Sequence, residues 1–166
     1  MPLTPVIRPV RPSDLDALVV LCAAHAAYEG APYRGRGKAE ALKDLLFGAS
    51  PSLLGLVVER DEALVGFATW SVQLSTWDAA PYAHLDCLYL DPAARGRGLG
   101  RDLVATVARD ARRAGCTQVQ WQTPASNHRA IRFYERLGAT AKPKVRFYLD
   151  EAALRRLTSD PSASYA

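Results

Sequence analysis

Apolar positions recur with two different periods along this 166-residue chain, and the changes of period mark its elements. Residues 5–10 are short and β-branched, and Pro9 and Pro12 make them an edge strand or one that ends early. The period then becomes helical. Leu15, Leu18, Val19, Cys22 and Ala26 share one face, Ser13 with Asp16 approximates a capping box, and the helix should stop near Tyr28, Glu29 and Gly30. Gly30, Pro32, Gly35 and Gly37 predict a loop over residues 30–38 of the kind that borders a site, with a second short helix over residues 39–47. Residues 53–59 and 64–74 read as strands that Arg60, Asp61 and Glu62 join into an antiparallel hairpin, with Gly66 marking a bulge.

After a loop containing Trp77, Asp78 and Pro81, residues 84–90 predict a strand ended by Asp91 and Pro92. A helix follows over residues 100–114, with Leu103, Val104, Val107, Ala108 and Ala111 on one face and Gly115 as its stop. Residues 119–122 form a short strand. Asn127 is an N-cap, and Ala130, Phe133, Tyr134 and Leu137 line a helix closed by Gly138. A last strand over residues 145–149 completes the body, and residues 157–166, rich in Ser, Ala and Pro, read as a frayed tail. This order implies a mixed sheet covered by helices, an α/β or α+β fold. No repeat or linker interrupts it, so residues 1–156 are expected to form one domain.

Composition narrows the class. An apolar content of 49% supports a substantial core, and 23% charged residues do not resemble a disordered chain. The formal charge of +4 is spread from Arg8 to Arg156 with acids interleaved, which argues against a phosphate-tracking stripe and so against nucleic acid. There is no apolar run of roughly 18 residues and no secretory signal pattern between Met1 and Arg11, so a cytoplasmic globular protein without a membrane partner is expected. Cys22, Cys87 and Cys116 are odd in number and far apart, as reduced thiols are. His25 and His128 form neither a recognisable catalytic triad nor a metal pair, so no metal is expected.

The sharpest chemical feature is a strand, a turn rich in glycine and arginine, and a helix, all within residues 85–113. A helix N-terminus offers unpaired N–H groups and partial positive charge, and glycine lets the backbone approach a pyrophosphate without a Cβ in the way. Two familiar phosphate loops fail on the letters. A Walker loop needs Lys and then Ser or Thr after its last glycine, and Gly100 is followed by Arg101 and Asp102. A dinucleotide fingerprint starting at Gly96 needs a small residue where Arg101 stands.

What remains is Arg-x-x-Gly-x-Gly over Arg95, Gly98 and Gly100, and with it the chain resembles the GNAT acetyltransferases. The resemblance covers roughly residues 6–149. It includes the strand Leu85-Asp86-Cys87-Leu88-Tyr89-Leu90 and the block from Asn127 through Tyr134 to Ala139. It implies a GNAT fold, a mixed and mostly antiparallel sheet flanked by helices, with acetyl-CoA as co-substrate. By the same resemblance, the backbone of Leu88, Tyr89 and Leu90 pairs with the pantetheine amides, and the turn of Arg95, Gly96, Arg97, Gly98, Leu99, Gly100 and Arg101 holds the pyrophosphate. Strand 85–90 must then splay from strand 119–122 to leave backbone groups free. Asn127 and Tyr134 match the family's motif on the penultimate helix, where the tyrosine lies near the coenzyme sulfur.

Acetyl transfer to an amine needs a neutral amine, a polarised thioester carbonyl and a proton for the departing thiolate. The resemblance gives the thiolate's proton to Tyr134 and makes Asp86 the acid that accepts the amine proton through water, with His84 as a substitute. Tyr28, Glu29, Trp77 and Asp78 look like the spermidine/spermine branch and would border the amine pocket. Glu29 and Asp78 would hold an ammonium there, and Trp77 would offer an aromatic face. Two departures count against a polyamine: Cys87 stands where a second acid is usual, and Arg34, Arg36 and Lys38 make the neighbouring loop basic. A basic rim suits an acceptor carrying a carboxylate beside its amine. The expected activity is acetyl transfer from acetyl-CoA to a primary amine of a small molecule, an amino acid, a diamine or a polyamine-like compound, by a homodimer after the family's habit. Acetylation of a protein N-terminus or lysine, and a coenzyme A-binding sensor without turnover, are the alternatives.

Overall fold

The structure, a computed structural model, describes residues 4–159. The chain divides into two compact units between Pro124 and Ala125, and each is described by itself. The first unit contains β1 (Val6–Pro9), α1 (Leu15–Tyr28), α2 (Lys38–Phe47), β2 (Leu54–Arg60), β3 (Ala63–Ser75), β4 (Ala80–Leu90), α3 (Leu99–Arg113) and β5 (Val119–Gln120). Its sheet runs β1-β2-β3-β4-β5, antiparallel except for the parallel pair β4–β5. This is the mixed, mostly antiparallel sheet expected from the sequence.

The sheet carries a core on each face. Leu56, Val58, Val65, Ala68, Trp70, Ala83 and Leu85 pack with Leu99, Leu103, Val107 and Ala111 of α3. Val57, Phe67 and Tyr89 pack on the other face with Leu15, Leu18 and Leu21 of α1 and Leu46 of α2. Val57 and Val58 are both fully buried, one on each side, so β2 reads as a continuous apolar run instead of an alternating one. Each such side chain contributes about 1.5–3 kcal/mol of transfer free energy.

The start of α1 differs from the expectation. A 3-10 turn over Pro12–Asp14 precedes the helix, and Asp14, not Ser13, organises it. The Asp14 carboxylate accepts the Arg11 backbone N–H at 2.7 Å and two bonds from the Arg8 guanidinium at 2.7 and 2.9 Å. Arg8 also donates to Glu59, so one guanidinium ties β1 to β2 and to the first turn of α1. The Arg11–Asp14 contact is itself a capping-box contact, set earlier in the chain than the pair read from the sequence, and the choice of Asp14 is reinforced by Arg8, which Glu59 holds from far along the chain.

The hairpin forms as expected, with Asp61 and Glu62 both at positive φ in the tight turn. The bulge falls where Gly66 announced it: Val58 pairs with Gly66 and Glu59 with Leu64, leaving Val65 extra. A Cβ at Gly66 would stand 2.7 Å from the Tyr89 carbonyl oxygen, so β3 and β4 approach too closely there for any other residue.

In the second unit, α4 (His128–Arg136) starts at Asn127, whose side chain accepts the Ala130 N–H at 3.2 Å. It ends at Gly138, φ +87, with Gly138 N–H on the Glu135 carbonyl and Ala139 N–H on the Tyr134 carbonyl. A further helix, α5 (Glu151–Ser159), was not expected and includes the first residues assigned to the tail; residues 160–166 lie outside the described residues. The strand expected over residues 145–149 is absent. Residues 139–150 form no helix or strand, and Val145 and Phe147 are 80% and 90% exposed. The residues have strand propensity, but a strand needs a ladder, and the described residues of this unit offer no second strand to pair with.

Candidate active site

The geometry of the site begins with a second bulge, in β4. Thr69 pairs with Cys87 and Trp70 with Leu85, which leaves Asp86 extra. The added residue reverses the alternation of the strand. Before it, Ala83 and Leu85 face the α3 core; after it Leu88 and Leu90 do, while Cys87 and Tyr89 turn to the α1 core. The sequence carried a sign of this, since Leu85, Leu88 and Leu90 are spaced three and then two residues apart.

The same reversal aims the backbone. Asp91 N–H bonds the Val65 carbonyl at 2.9 Å, so in the antiparallel ladder residues 87, 89 and 91 direct their polar groups at β3. Leu88 and Leu90 direct theirs at the opposite edge. On that edge β5 pairs only with Ala83 and His84 and then ends, which is the expected splay. An extended amide chain therefore has an open strand edge at Leu88 and Leu90. Tyr89, expected to share in this pairing, has its backbone committed to Phe67 of β3.

The chain then turns into α3. Gly96 and Gly98 take φ +80 and +84, conformations that glycine adopts without penalty, and a Cβ at Gly96 would meet nothing within 4 Å. Gly98 is the N-cap of α3, and the first helical bond runs from Asp102 N–H to the Gly98 carbonyl at 3.1 Å. The N–H groups of Leu99, Gly100 and Arg101 thus precede the helical ladder, where α-helices leave donors free for an anion. Open space, free donors and positive helix potential fit a pyrophosphate. The Arg95 side chain takes a different course. Its Nε–H donates to the Leu90 carbonyl at 2.8 Å, and its guanidinium lies over the Tyr28 ring.

Residues 23–139 match the Acetyltransferase (GNAT) family. The chain belongs to this family. The thialysine N-epsilon-acetyltransferase of Mus musculus is 28% identical over 80% of this chain and 82% of its own length. The mycothiol acetyltransferase of Propionibacterium freudenreichii subsp. shermanii is 33% identical over 77% of this chain, which spans only 40% of that protein. Among solved structures, an aminoglycoside N-acetyltransferase in complex with CoA superposes with a TM-score of 0.75 at 20% identity, covering 89% of this chain and 95% of that one. These findings bear out the GNAT fold and the acetyltransferase class.

Asp86 is exposed at its bulge and accepts the Cys87 thiol at 3.6 Å. Burial, with the Asp86 charge behind it, pushes Cys87 up to about 12, so the thiol stays protonated and serves as a donor. Cys22 of α1 is pushed up to about 11 by burial and by the same carboxylate, and Tyr33 of the 30–38 loop is raised by burial and by Cys22. The Asp86 charge is therefore felt at Cys22 on α1. The three cysteines are free, as expected of reduced thiols; Cys116 is buried, and Cys22 and Cys87 are half-buried.

Other expected acceptor residues are placed differently. Glu29 lies 3.4 Å from His25 Nε2, and His25 stacks on Tyr89 with ring centroids 5.5 Å apart. Tyr28 packs against Arg95 at the coenzyme turn. Trp77, 99% exposed, and Asp78 sit at the tip of the β3–β4 hairpin, where Asp78 bonds Ser75 and shapes the turn. Six residues of β4 separate that tip from Asp86, about 20 Å at the strand repeat, so the two are not brought together. His84 is half-buried in the regular part of β4. In the second unit, Asn127 spends its side chain on capping α4, and Tyr134 is half-buried on the face shared by Ala130, Phe133 and Leu137, with the Phe133 ring 5.1 Å away.

Among the described residues no cluster of three or more His, Cys, Asp or Glu could hold a metal ion. No helix among them is long and apolar enough to cross a membrane.

Proposed function

We propose that this GNAT protein moves the acetyl group of acetyl-CoA directly to the primary amine of a small molecule that carries a carboxylate beside that amine. The observation that carries the coenzyme part is the open edge at Leu88 and Leu90 leading into the free N–H groups of the Gly96 to Arg101 turn. The thioester supplies an activated acyl group. Asp86, exposed on its bulge, accepts the ammonium proton through water, which leaves a neutral nucleophile. Tyr134 protonates the departing thiolate. The acceptor class is supported by the basic residues Arg34, Arg36 and Lys38 of the segment that follows α1, and by relatives named for thialysine and for D-amino acids.

Because Asp86 and Tyr134 belong to different compact units, the reading requires residues 1–156 to work as one domain. A cytoplasmic homodimer completes it. The experiment is a panel of amino acids, diamines, polyamines, aminoglycosides and peptides, with acetyl-CoA and detection of released thiol. An amino-acid acceptor should give the highest kcat/KM. Spermidine outranking every amino acid would overturn the basic-rim argument, activity confined to peptides would favour protein acetylation, and coenzyme binding with no turnover on any acceptor would leave a sensor.

A further inference from the structure

Arg95 stands at the first position of the Arg-x-x-Gly-x-Gly signature, yet its Nε–H and the face of its guanidinium are engaged elsewhere. The Nε–H holds the Leu90 carbonyl at 2.8 Å. By the parity of β4, that carbonyl points to the open edge, so Arg95 closes the edge at its last residue and leaves Leu88 and the Leu90 N–H before it. The guanidinium carbon lies 4.6 Å from the centroid of the Tyr28 ring and 5.6 Å from that of Tyr89. Tyr89 is buried and stacked on His25, which stands one helical turn before Tyr28 on α1. Two rings and a carbonyl thus fix the planar group at the base of the turn, from which Gly96 carries the chain outward.

We propose that Arg95 is a positioning residue that couples the C-terminal end of α1, through Tyr28, to the shape of the coenzyme turn, and that its side chain is not a ligand to the pyrophosphate. The end of α1 leads directly into the 30–38 loop, which the proposed function assigns to the acceptor side, so on that reading the contact links the two substrate sides of one unit. A lysine keeps the charge but has neither the Nε–H nor the planar face. A glutamine loses the charge and keeps an N–H donor of similar reach to the Leu90 carbonyl.

This inference rests on the coenzyme reading of the turn, and one set of measurements separates the two. Coenzyme A is titrated into wild type, Arg95→Lys, Arg95→Gln, Tyr28→Leu and the double variant Tyr28→Leu/Arg95→Gln by calorimetry at two ionic strengths, with circular dichroism confirming the fold of each. Failure of wild type to bind sinks the coenzyme reading and the inference together. With wild-type binding established, Arg95→Lys should weaken binding more than tenfold and Arg95→Gln less than that, with the salt dependence of the dissociation constant unchanged in Arg95→Gln. Tyr28→Leu should weaken binding about threefold in the wild-type background and not at all beside Arg95→Gln, because the cation it faces is gone. If Arg95→Lys binds better than Arg95→Gln and the glutamine flattens the salt dependence, Arg95 is a charge on the phosphates and the proposal fails. Equal effects of Tyr28→Leu in both backgrounds break the coupling as well.

Discussion

Gly98 separates backbone conformation from occupancy of the anion site, because its φ is +84 and a Cβ there would meet nothing nearer than the Asp102 carboxylate at 3.9 Å. Gly98→Ala therefore suffers no collision. An L-residue in this region costs about 1–2 kcal/mol, and reduced freedom of the unfolded chain returns about 0.4–1 kcal/mol. The variant should stay folded, destabilised by about 1 kcal/mol. Gly98→Glu bears the same backbone cost and adds a carboxylate beside the free donors of α3. At about 6 Å and an effective dielectric of about 20, two unit charges repel by about 3 kcal/mol, roughly a hundredfold in affinity. Calorimetric titration of coenzyme A, paired with thermal unfolding, is the assay. The expected pattern is a shared loss of Tm, with a loss of a hundredfold or more in affinity confined to Gly98→Glu. A Gly98→Glu protein that melts with Gly98→Ala and still binds within threefold of wild type would refute the cradle.

Tyr134→Phe keeps the ring and should lower kcat about a hundredfold to ten-thousandfold with a nearly unchanged acetyl-CoA dissociation constant; retention of more than half of kcat when chemistry limits would make Tyr134 a packing residue. Asp86→Ala should impair turnover most at low pH, where the acceptor is an ammonium, and recover as pH approaches the free amine's pKa; a deficit independent of pH would remove Asp86 from proton transfer. Asp14→Asn should destabilise the protein by about 1.5–3 kcal/mol at neutral pH, since it removes the charged acceptor of two Arg8 bonds and leaves Glu59 as the only carboxylate on that guanidinium among the described ion pairs. The Arg8 guanidinium holds the Asp14 carboxyl below its usual value, so the wild-type advantage is full above the unfolded carboxyl's pKa and fades as pH falls through the folded one. Denaturant unfolding at neutral and strongly acid pH checks this, and a deficit that persists in acid contradicts it.

The parts legible in the sequence were those encoded by neighbours. Gly98, Gly100 and the apolar stripe of α3 lie within a few turns of one another, as do Asn127 and its helix, so local pattern was enough. Features that need a partner distant in the chain were not legible. Asp14 is chosen over Ser13 by Arg8 and through it by Glu59, 51 residues from Arg8. Arg95 is drawn from the expected anion site by Tyr28, and residues 145–149 have strand chemistry without a ladder. Asp86 lies between these cases: its role was read from resemblance, whereas the bulge that exposes it was written in the leucine spacing and overlooked.

The bulge at Asp86 also sets how this strand tolerates changes of length. Because Leu85 faces the α3 core and Cys87 the α1 core with Asp86 extra between them, deleting Asp86 would restore simple alternation and leave Leu88 and Leu90 towards α3 and Cys87 and Tyr89 towards α1, removing the exposed carboxylate alone. Leu88 and Leu90 would keep their backbone groups at the open edge. A one-residue deletion is harmless in the turn at Trp77, whereas between Cys87 and Leu90 it would send the residues after it to the opposite core and change which backbone groups lie at the open edge.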